Sequence, residues 1–240
     1  CYSRMQNEAL CPDEVTFLYI LKACSTIGAL NKGKEIHAKL VMENLGKRTD
    51  IGTVLIDTYA KCGLLTKAQE VFDQLSVHNV ATWSVLISGY GQWGKDDTVV
   101  DLFDKMIGEG IRPDVVTFTA VLNSCSHSGL VDRGQMYFEK MSKAYGIMPT
   151  LEHYTCMVDL FGRAGHVDKA VAVIGEMQLP ADVAMCHTLL SACERWGNVN
   201  LGRFVFEYVV QLDEKDAGPY VCLGNMYAAG ERILSQIETE

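Results

Sequence analysis

The stretch Ala23–Gly33 reads ACSTIGALNKG, and two close relatives of it occur later, SCSHSGLVDRG at Ser124–Gly134 and ACERWGNVNLG at Ala192–Gly202. All three have a small residue before a Cys and a Gly four positions after that Cys. An aliphatic residue, an Asn or Asp and a second Gly then follow at the same spacing in each. A string of this length that recurs within one chain is typical of structural repeats.

Equivalent glycines along the chain define a regular period, with steps of 35, 31, 35, 36, 32 and 33 residues. An apolar stretch of helical length precedes these glycines, and an amphipathic stretch follows most of them. The sequence therefore predicts an all-α fold of helix–turn–helix repeats of 31–36 residues each, with a glycine at each reversal. The glycines of this series are Gly28, Gly63, Gly94, Gly129, Gly165, Gly197 and Gly230.

Composition narrows the chemistry that the chain can perform. No apolar run approaches the length of about 18 residues that indicates a membrane span, so no membrane association is expected. The nine cysteines include no Cys-x-x-Cys pair and none at zinc-ligand spacing from a histidine, which predicts reduced, buried packing thiols. The histidines pair with no nucleophile. We therefore expect no catalytic residues, no metal site and no cofactor, and hence no enzyme.

Several strings closely resemble the pentatricopeptide repeat family. PDEVTFLYILKAC (Pro12–Cys24), IDTYAKCG (Ile56–Gly63) and VTFTAVLNSCSHSGLVDRGQMYFEKM (Val116–Met141) resemble the plant organellar subclass in which long, short and standard repeats alternate. The segment from Leu189 resembles the C-terminal extension repeats that follow such arrays. The resemblance implies a right-handed superhelical α-solenoid.

The resemblance also divides the chain into repeats. Cys1–Asp13 is the end of a preceding repeat, and the last segment, residues 183–240, contains extension repeats of which the second is incomplete. Between them we predict a long repeat at Glu14–Arg48, a short one at Thr49–Asn79, a standard one at Val80–Asp114, a long one at Val115–Thr150 and a short one at Leu151–Asp182.

Members of this family bind single-stranded RNA, with one base read by the fifth and last residues of each repeat. For the pair Ser84 and Asp114 we expect guanine, because a carboxylate only accepts hydrogen bonds and the guanine edge offers donors. The family rule for a pair such as Thr53 and Asn79 is adenine. Leu18, paired with Arg48, forms no hydrogen bond, which makes that repeat a spacer. The remaining pairs are Thr155/Asp182, expected to favour guanine, and Thr119/Thr150, which is ambiguous.

Other positions are implicated in packing against the RNA. The resemblance places base-sandwiching side chains at the second position of a repeat, namely Val15, Ala81 and Val116, whereas the short repeats carry Asp50 and Glu152 there. Lys61 and Arg163 end first helices; they are either phosphate contacts or simple helix C-terminal charges.

The net charge of −9 is the wrong sign for binding by phosphate contacts alone. The acidic residues are expected to lie on the second helices, away from the RNA, as a solvated face.

Three functions are compatible with this pattern. The first is a sequence-specific factor in organellar C-to-U RNA editing, in the mitochondrion or chloroplast of a plant. No His-x-Glu with a downstream Cys-x-x-Cys is present, so the deaminase would come from a protein partner recruited through the extension repeats or from sequence beyond this chain. The second is a factor in organellar RNA stability, processing or splicing. The third is a helical scaffold that binds protein and no RNA.

Overall fold

The computed structural model describes Met5, residues 12–42 and residues 48–237, and this part of the chain contains thirteen consecutive helices from Glu14 onward and no strand. The predicted end of a preceding repeat, Cys1–Asp13, lies largely outside the described residues. The helices are α1 (Glu14–Ile27), α2 (Leu30–Met42), α3 (Thr49–Lys61), α4 (Leu65–Gln74), α5 (Val80–Gln92), α6 (Asp96–Gly108), α7 (Val115–Ser128), α8 (Val131–Lys143), α9 (Leu151–Arg163), α10 (Val167–Glu176), α11 (Val183–Trp196), α12 (Val199–Leu212) and α13 (Gly218–Ile237).

The expected all-α helical-repeat fold is confirmed. Odd-numbered helices from α1 to α11 begin at the residues with which the predicted repeats begin, and each is followed by an even-numbered second helix after a short turn. The assignment of long, short and standard types stays a prediction. The chain divides into two compact units, Cys1–Ser124 and Cys125–Glu240, and each is described by itself.

Six of the predicted turn glycines have positive φ, between 63° at Gly94 and 81° at Gly165. Gly28 ends α1 in the left-handed region, where its backbone N–H bonds to the Cys24 carbonyl. A side chain with a Cβ is strained in this conformation, which explains why the string requires glycine at this point.

Gly230 continues the glycine series of the sequence but does not end a helix, because α13 continues through this residue to Ile237. The residues that follow Gly230 read ERILSQI and lack the Asn or Asp that follows Gly28, Gly129 and Gly197 three positions later. Glu, Arg, Leu and Gln all favour helix, so a single glycine does not end it.

The second glycine of the string makes room for the next repeat. A Cβ on Gly134 would lie 2.4 Å from Leu160 Cδ2 of α9 and 3.3 Å from Cys125 Cβ, and a Cβ on Gly33 would lie 3.2 Å from Thr58 of α3. The second glycine of the string is therefore a packing residue of the repeat, whereas the first glycine serves the turn.

Neighbouring first helices approach closely where both carry small residues. A Cβ on Gly89 of α5 would lie 2.5 Å from Ala60 Cβ of α3, and a Cβ on Gly162 of α9 would lie 2.8 Å from Ala192 Cβ of α11. The spacing between first helices is thus set by a glycine against an alanine in both units.

Two tryptophans cover the turns that follow α3 and α9. Trp93 Nε1 donates to the Ala60 carbonyl at 2.7 Å, and its ring covers Gly63; Trp196 Nε1 donates to the Gly162 carbonyl at 2.7 Å, and its ring covers Gly165. The same contact in both units ties each turn to the following first helix.

Gly89→Ala is expected to destabilise the chain by about 1–3 kcal/mol, because the added methyl overlaps Ala60 Cβ, which has no rotamer to escape into. Thermal or urea unfolding followed by circular dichroism measures this change.

Gly108→Ala is the matched control, since a Cβ there meets no atom within 4 Å and φ is not positive. Its unfolding free energy should stay within about 0.5 kcal/mol of the wild type or rise. Equal destabilisation by both substitutions would contradict the close-packing account.

Candidate nucleic-acid interface

The last residues of the predicted repeats, placed in the inter-repeat link by the sequence, are the N-caps of the next first helix. Asn79 Oδ1 accepts from Thr82 N at 3.0 Å, Asp114 Oδ1 accepts from Thr117 N at 2.9 Å, and Asp182 Oδ1 accepts from Met185 N at 2.8 Å. Thr150 caps α9 together with His153. An oxygen at this position satisfies the open helix end, a role for which Asp, Asn, Ser and Thr are preferred. Arg48, which precedes α3, makes no such side-chain bond.

Capping uses only one end of these side chains. The hydrogen bonds of the Asp114 carboxylate are all made by Oδ1, so among the described residues Oδ2 has no partner. Asp182 caps through Oδ1, so its Oδ2 likewise has no partner among the described residues. Asn79 caps through Oδ1, so its Nδ2 amide has no partner among them. Asp114 and Asp182 therefore offer an acceptor to a ligand, and Asn79 offers a donor.

The fifth residues share one hydrogen bond to the helix backbone. Their hydroxyls donate to the carbonyl four residues earlier, at 2.6 to 3.0 Å. This bond uses the hydroxyl hydrogen, so for Thr53, Ser84 and Thr155 an oxygen lone pair can accept from a ligand. The four residues are Thr53, Ser84, Thr119 and Thr155.

One groove, which we call the Ser84 groove, brings five predicted residues together. It has a volume of about 390 Å³ and is lined by Ser84 and Asp114, whose Oγ and Oδ1 atoms lie 3.1 Å apart. Ala81, Val116 and Lys61 also line it. Val116 is 53% exposed, which places a bare apolar side chain beside the Ser84–Asp114 pair.

A second groove of about 980 Å³, the Thr53 groove, is lined by Thr53, Asn79 and Ala81. Leu18 and Arg48 of the expected spacer repeat line it as well. Val15 is 56% exposed and lines neither groove.

The other two predicted pairs involve the second unit. Thr155 is half-buried there and Asp182 is exposed, whereas Thr119 and Thr150 lie in different units.

The two candidate phosphate contacts are held by aspartates in the same arrangement. Lys61 Nζ lies 3.0 Å from Asp57 Oδ2, which also accepts from Ser25 Oγ at 2.7 Å. In the other unit Arg163 Nε lies 2.7 Å from Asp159 Oδ2, which accepts from Ser126 Oγ at 2.6 Å. Each cation is thus partly neutralised within its own helix.

Sequence reasoning missed the role of Arg48, which bridges Glu14 and Asp50 at the edge of the Thr53 groove. Among the described residues no group of His, Cys, Asp and Glu has the arrangement of a metal site. No helix in this part of the chain combines the length and apolarity needed to cross a bilayer.

Comparison with known proteins points to one family. Models of the PPR repeat match residues 53–80, 116–144 and 145–178, and a model of the PPR repeat family matches residues 78–127. These matches together cover more than half of the chain.

Three Arabidopsis thaliana relatives illustrate the likeness. The chain is 41% identical to the pentatricopeptide repeat-containing protein At4g33990, in an alignment that covers 95% of this chain. It is 40% identical to At5g66520 over 98% of this chain and 39% identical to the chloroplastic protein At3g57430 over 92% of this chain. It spans 28%, 38% and 25% of these relatives, respectively.

Solved structures share the fold. The maize protein PPR10 in complex with an 18-nt psaJ RNA element superposes with a TM-score of 0.80 at 18% identity, covering 94% of this chain and 34% of that one. The PPR domain of Arabidopsis thaliana protein-only RNase P 1 in complex with tRNA gives 0.57 at 15% identity, covering 75% and 96%.

The cysteines of the recurring string are buried packing groups. Cys24, Cys125 and Cys193 are at most 4% exposed. Burial raises the pKa of the Cys24 thiol, and it raises the pKa of Cys193 to about 11. Because the thiolate is the nucleophile, such thiols are poorly reactive near neutral pH.

Alkylation of the folded protein with iodoacetamide at mildly alkaline pH should therefore modify Cys193 about a hundredfold more slowly than a free thiol. The rate should increase with rising pH and after denaturation. Mass spectrometry of digests measures it, with the half-exposed Cys62 as internal reference. Labelling of Cys193 as fast as Cys62 would contradict a packing role.

Proposed function

Because the chain belongs to the pentatricopeptide repeat family, we propose that it binds single-stranded RNA and selects its bases through the Ser84 and Thr53 grooves. The observation that carries this proposal is the Ser84 groove, in which a reading pair, two small apolar side chains and a cation line one surface. PPR10, which shares this fold, is solved in complex with an RNA element, and this likeness supports RNA as the ligand.

The hydrogen-bonding ends left by helix capping match particular bases. In the Ser84 groove both Asp114 Oδ2 and the Ser84 hydroxyl accept, and the guanine edge presents two adjacent donors, N1–H and N2–H. In the Thr53 groove Asn79 Nδ2 donates and the Thr53 hydroxyl accepts, and adenine offers the acceptor N1 beside the donor N6–H. We propose the order adenine then guanine for these two repeats.

The remaining positions extend the same scheme. Thr155 and Asp182 form an acceptor pair that favours guanine, whereas the Thr150 hydroxyl contacts His153 Nδ1 at 2.7 Å and so adds little discrimination to the Thr119 repeat. Ala81 and Val116 flank the base in the Ser84 groove, and Val15 offers its exposed side chain to an upstream base.

For the biological process we propose recognition of organellar transcripts for C-to-U editing, with no catalytic step by this chain itself. A chloroplastic relative supports the compartment, and the extension-repeat likeness supports the process. A deaminase would be provided by a partner protein or by sequence outside this chain. Transcript stability, processing or splicing is the alternative within RNA metabolism.

A protein-binding scaffold is the alternative from another class. It is favoured by an exposed apolar row on α12, where Phe204, Tyr208 and Leu212 are 70%, 38% and 46% exposed at intervals of one helical turn. The same row is a candidate surface for the editing partner.

The exchange of Asn79→Asp together with Asp114→Asn tests base selection. The wild type should bind a short single-stranded RNA that contains 5′-AG-3′ at least about tenfold more tightly than its 5′-GA-3′ isomer, and the double variant should reverse this order. Fluorescence anisotropy with both labelled RNAs measures the dissociation constants.

The exchange also carries its own control, since Asp and Asn cap helices equally well and the unfolding temperature should not change. If the folded double variant still prefers 5′-AG-3′ over 5′-GA-3′ RNA, the proposed reading scheme is contradicted. Absence of RNA binding at low salt would favour the scaffold function.

Lys61→Gln should weaken binding of all RNAs alike, by about two- to threefold, and reduce the slope of log K against log salt by about one, because it removes one phosphate contact. Lys67→Gln, on the second helix α4 and paired with Glu70, is the matched control and should change nothing. An effect of Lys61→Gln that depends on base identity would contradict a phosphate role.

A further inference from the structure

Arg48 is held by two carboxylates in fork geometry. Its Nε and Nη2 atoms lie 3.3 and 3.0 Å from Asp50 Oδ1 and Oδ2, and its Nη1 and Nη2 atoms lie 3.0 and 2.8 Å from Glu14 Oε2 and Oε1. A guanidinium that pairs with carboxylates in this way is fixed in one plane.

These contacts lie along the edges of the guanidinium, in its plane. Three guanidinium hydrogen bonds are directed at Asp50 and Glu14, and Nη2 also lies within ion-pair distance of Glu14 Oε1, yet the Arg48 side chain remains 51% exposed. A planar cation with satisfied edges and an accessible face is a stacking surface for a π-system.

The position of Arg48 brings this surface to the base-reading pair of the next repeat. Arg48, Asp50, Thr53, Asn79 and Ala81 all line the Thr53 groove. Asp50 occupies the second position of its repeat, where Ala81 and Val116 provide apolar contacts in the neighbouring repeats.

We propose that the Arg48 guanidinium, clamped by Glu14 and Asp50, stacks on the base read by Thr53 and Asn79 and replaces the apolar side chain missing from position 50. This inference rests on the proposed function, because it needs a base in the Thr53 groove. Arg48 thereby makes the expected spacer repeat a contributor to RNA affinity.

Charge favours stacking over a phosphate contact for this arginine. Glu14, Arg48 and Asp50 together carry one net negative charge, which repels a phosphate, and the donors that a phosphate needs are engaged by the carboxylates. Stacking of a base on the face of the guanidinium needs neither a free donor nor a net positive charge, and it is tolerant of base identity.

The second short repeat lacks this device. Its second residue is Glu152, but the residue that corresponds to Arg48 is Thr150, which caps α9. Stacking by an arginine clamp is therefore specific to the Thr53 groove, which makes the Ser84 groove an internal comparison.

A double-mutant cycle between protein and RNA tests the proposal. Dissociation constants are measured for the wild type, Arg48→Ala and Arg48→Lys with three RNAs: an intact 5′-AG-3′ RNA, one with an abasic nucleotide in place of A, and one with an abasic nucleotide in place of G. An abasic nucleotide keeps the phosphate and removes the ring.

Arg48→Ala should weaken binding of the intact RNA by about tenfold and of the RNA abasic at G by a similar factor, but should leave binding of the RNA abasic at A unchanged. Arg48→Lys should behave as Arg48→Ala, because it keeps the charge and loses the plane.

An equal loss with the RNA abasic at A, or full retention by Arg48→Lys, would mean a phosphate contact and overturn the proposal. An intact-RNA affinity unchanged in both variants overturns it as well. Failure of the wild type to bind these RNAs, or to distinguish intact from abasic RNA at either position, would instead overturn the proposed function.

Discussion

Each first helix begins with backbone N–H groups that have no partner inside the helix, and before α5, α7 and α11 the last residue of the preceding repeat satisfies one of them. Asn79, Asp114 and Asp182 all perform this capping with one oxygen. Helix capping and the proposed base reading therefore use the same side chain, since the second end of each amide or carboxylate is left for a ligand. At these three positions the helix favours Asp or Asn, whose remaining polar end can hydrogen-bond a ligand.

The capped helices are useful for reading only if they lie side by side at a constant spacing. Glycine–alanine contacts between first helices, Gly89 with Ala60 and Gly162 with Ala192, keep that spacing short in both units. The second glycine of the recurring string, such as Gly134, lets the second helix approach the next first helix. A motif that contains a cysteine thus serves the packing of the repeat, and its thiol is too deeply buried for chemistry.

Acidic side chains pair with the cations of the candidate interface. Lys61 is paired with Asp57, Arg163 with Asp159, and Arg48 with Asp50 and Glu14. Since these cations are partly neutralised, the proposed affinity for RNA would depend on hydrogen bonds and stacking more than on phosphate neutralisation. Such a surface favours selectivity among bases over general adhesion to nucleic acid.

Local sequence determined the helical repeats, because glycine turns and apolar periodicity act over a few residues, and the family resemblance supplied the proposed reading pairs. Extrapolation of the period failed at Gly230, where strong helix formers follow and α13 continues. Only the tertiary structure decided that Ser84 meets Asp114, that Lys61 is tied to Ser25 through Asp57, and that Arg48 is clamped by Glu14. These contacts join residues about one repeat apart, and their geometry follows from how neighbouring helices pack, which no local pattern of residues encodes.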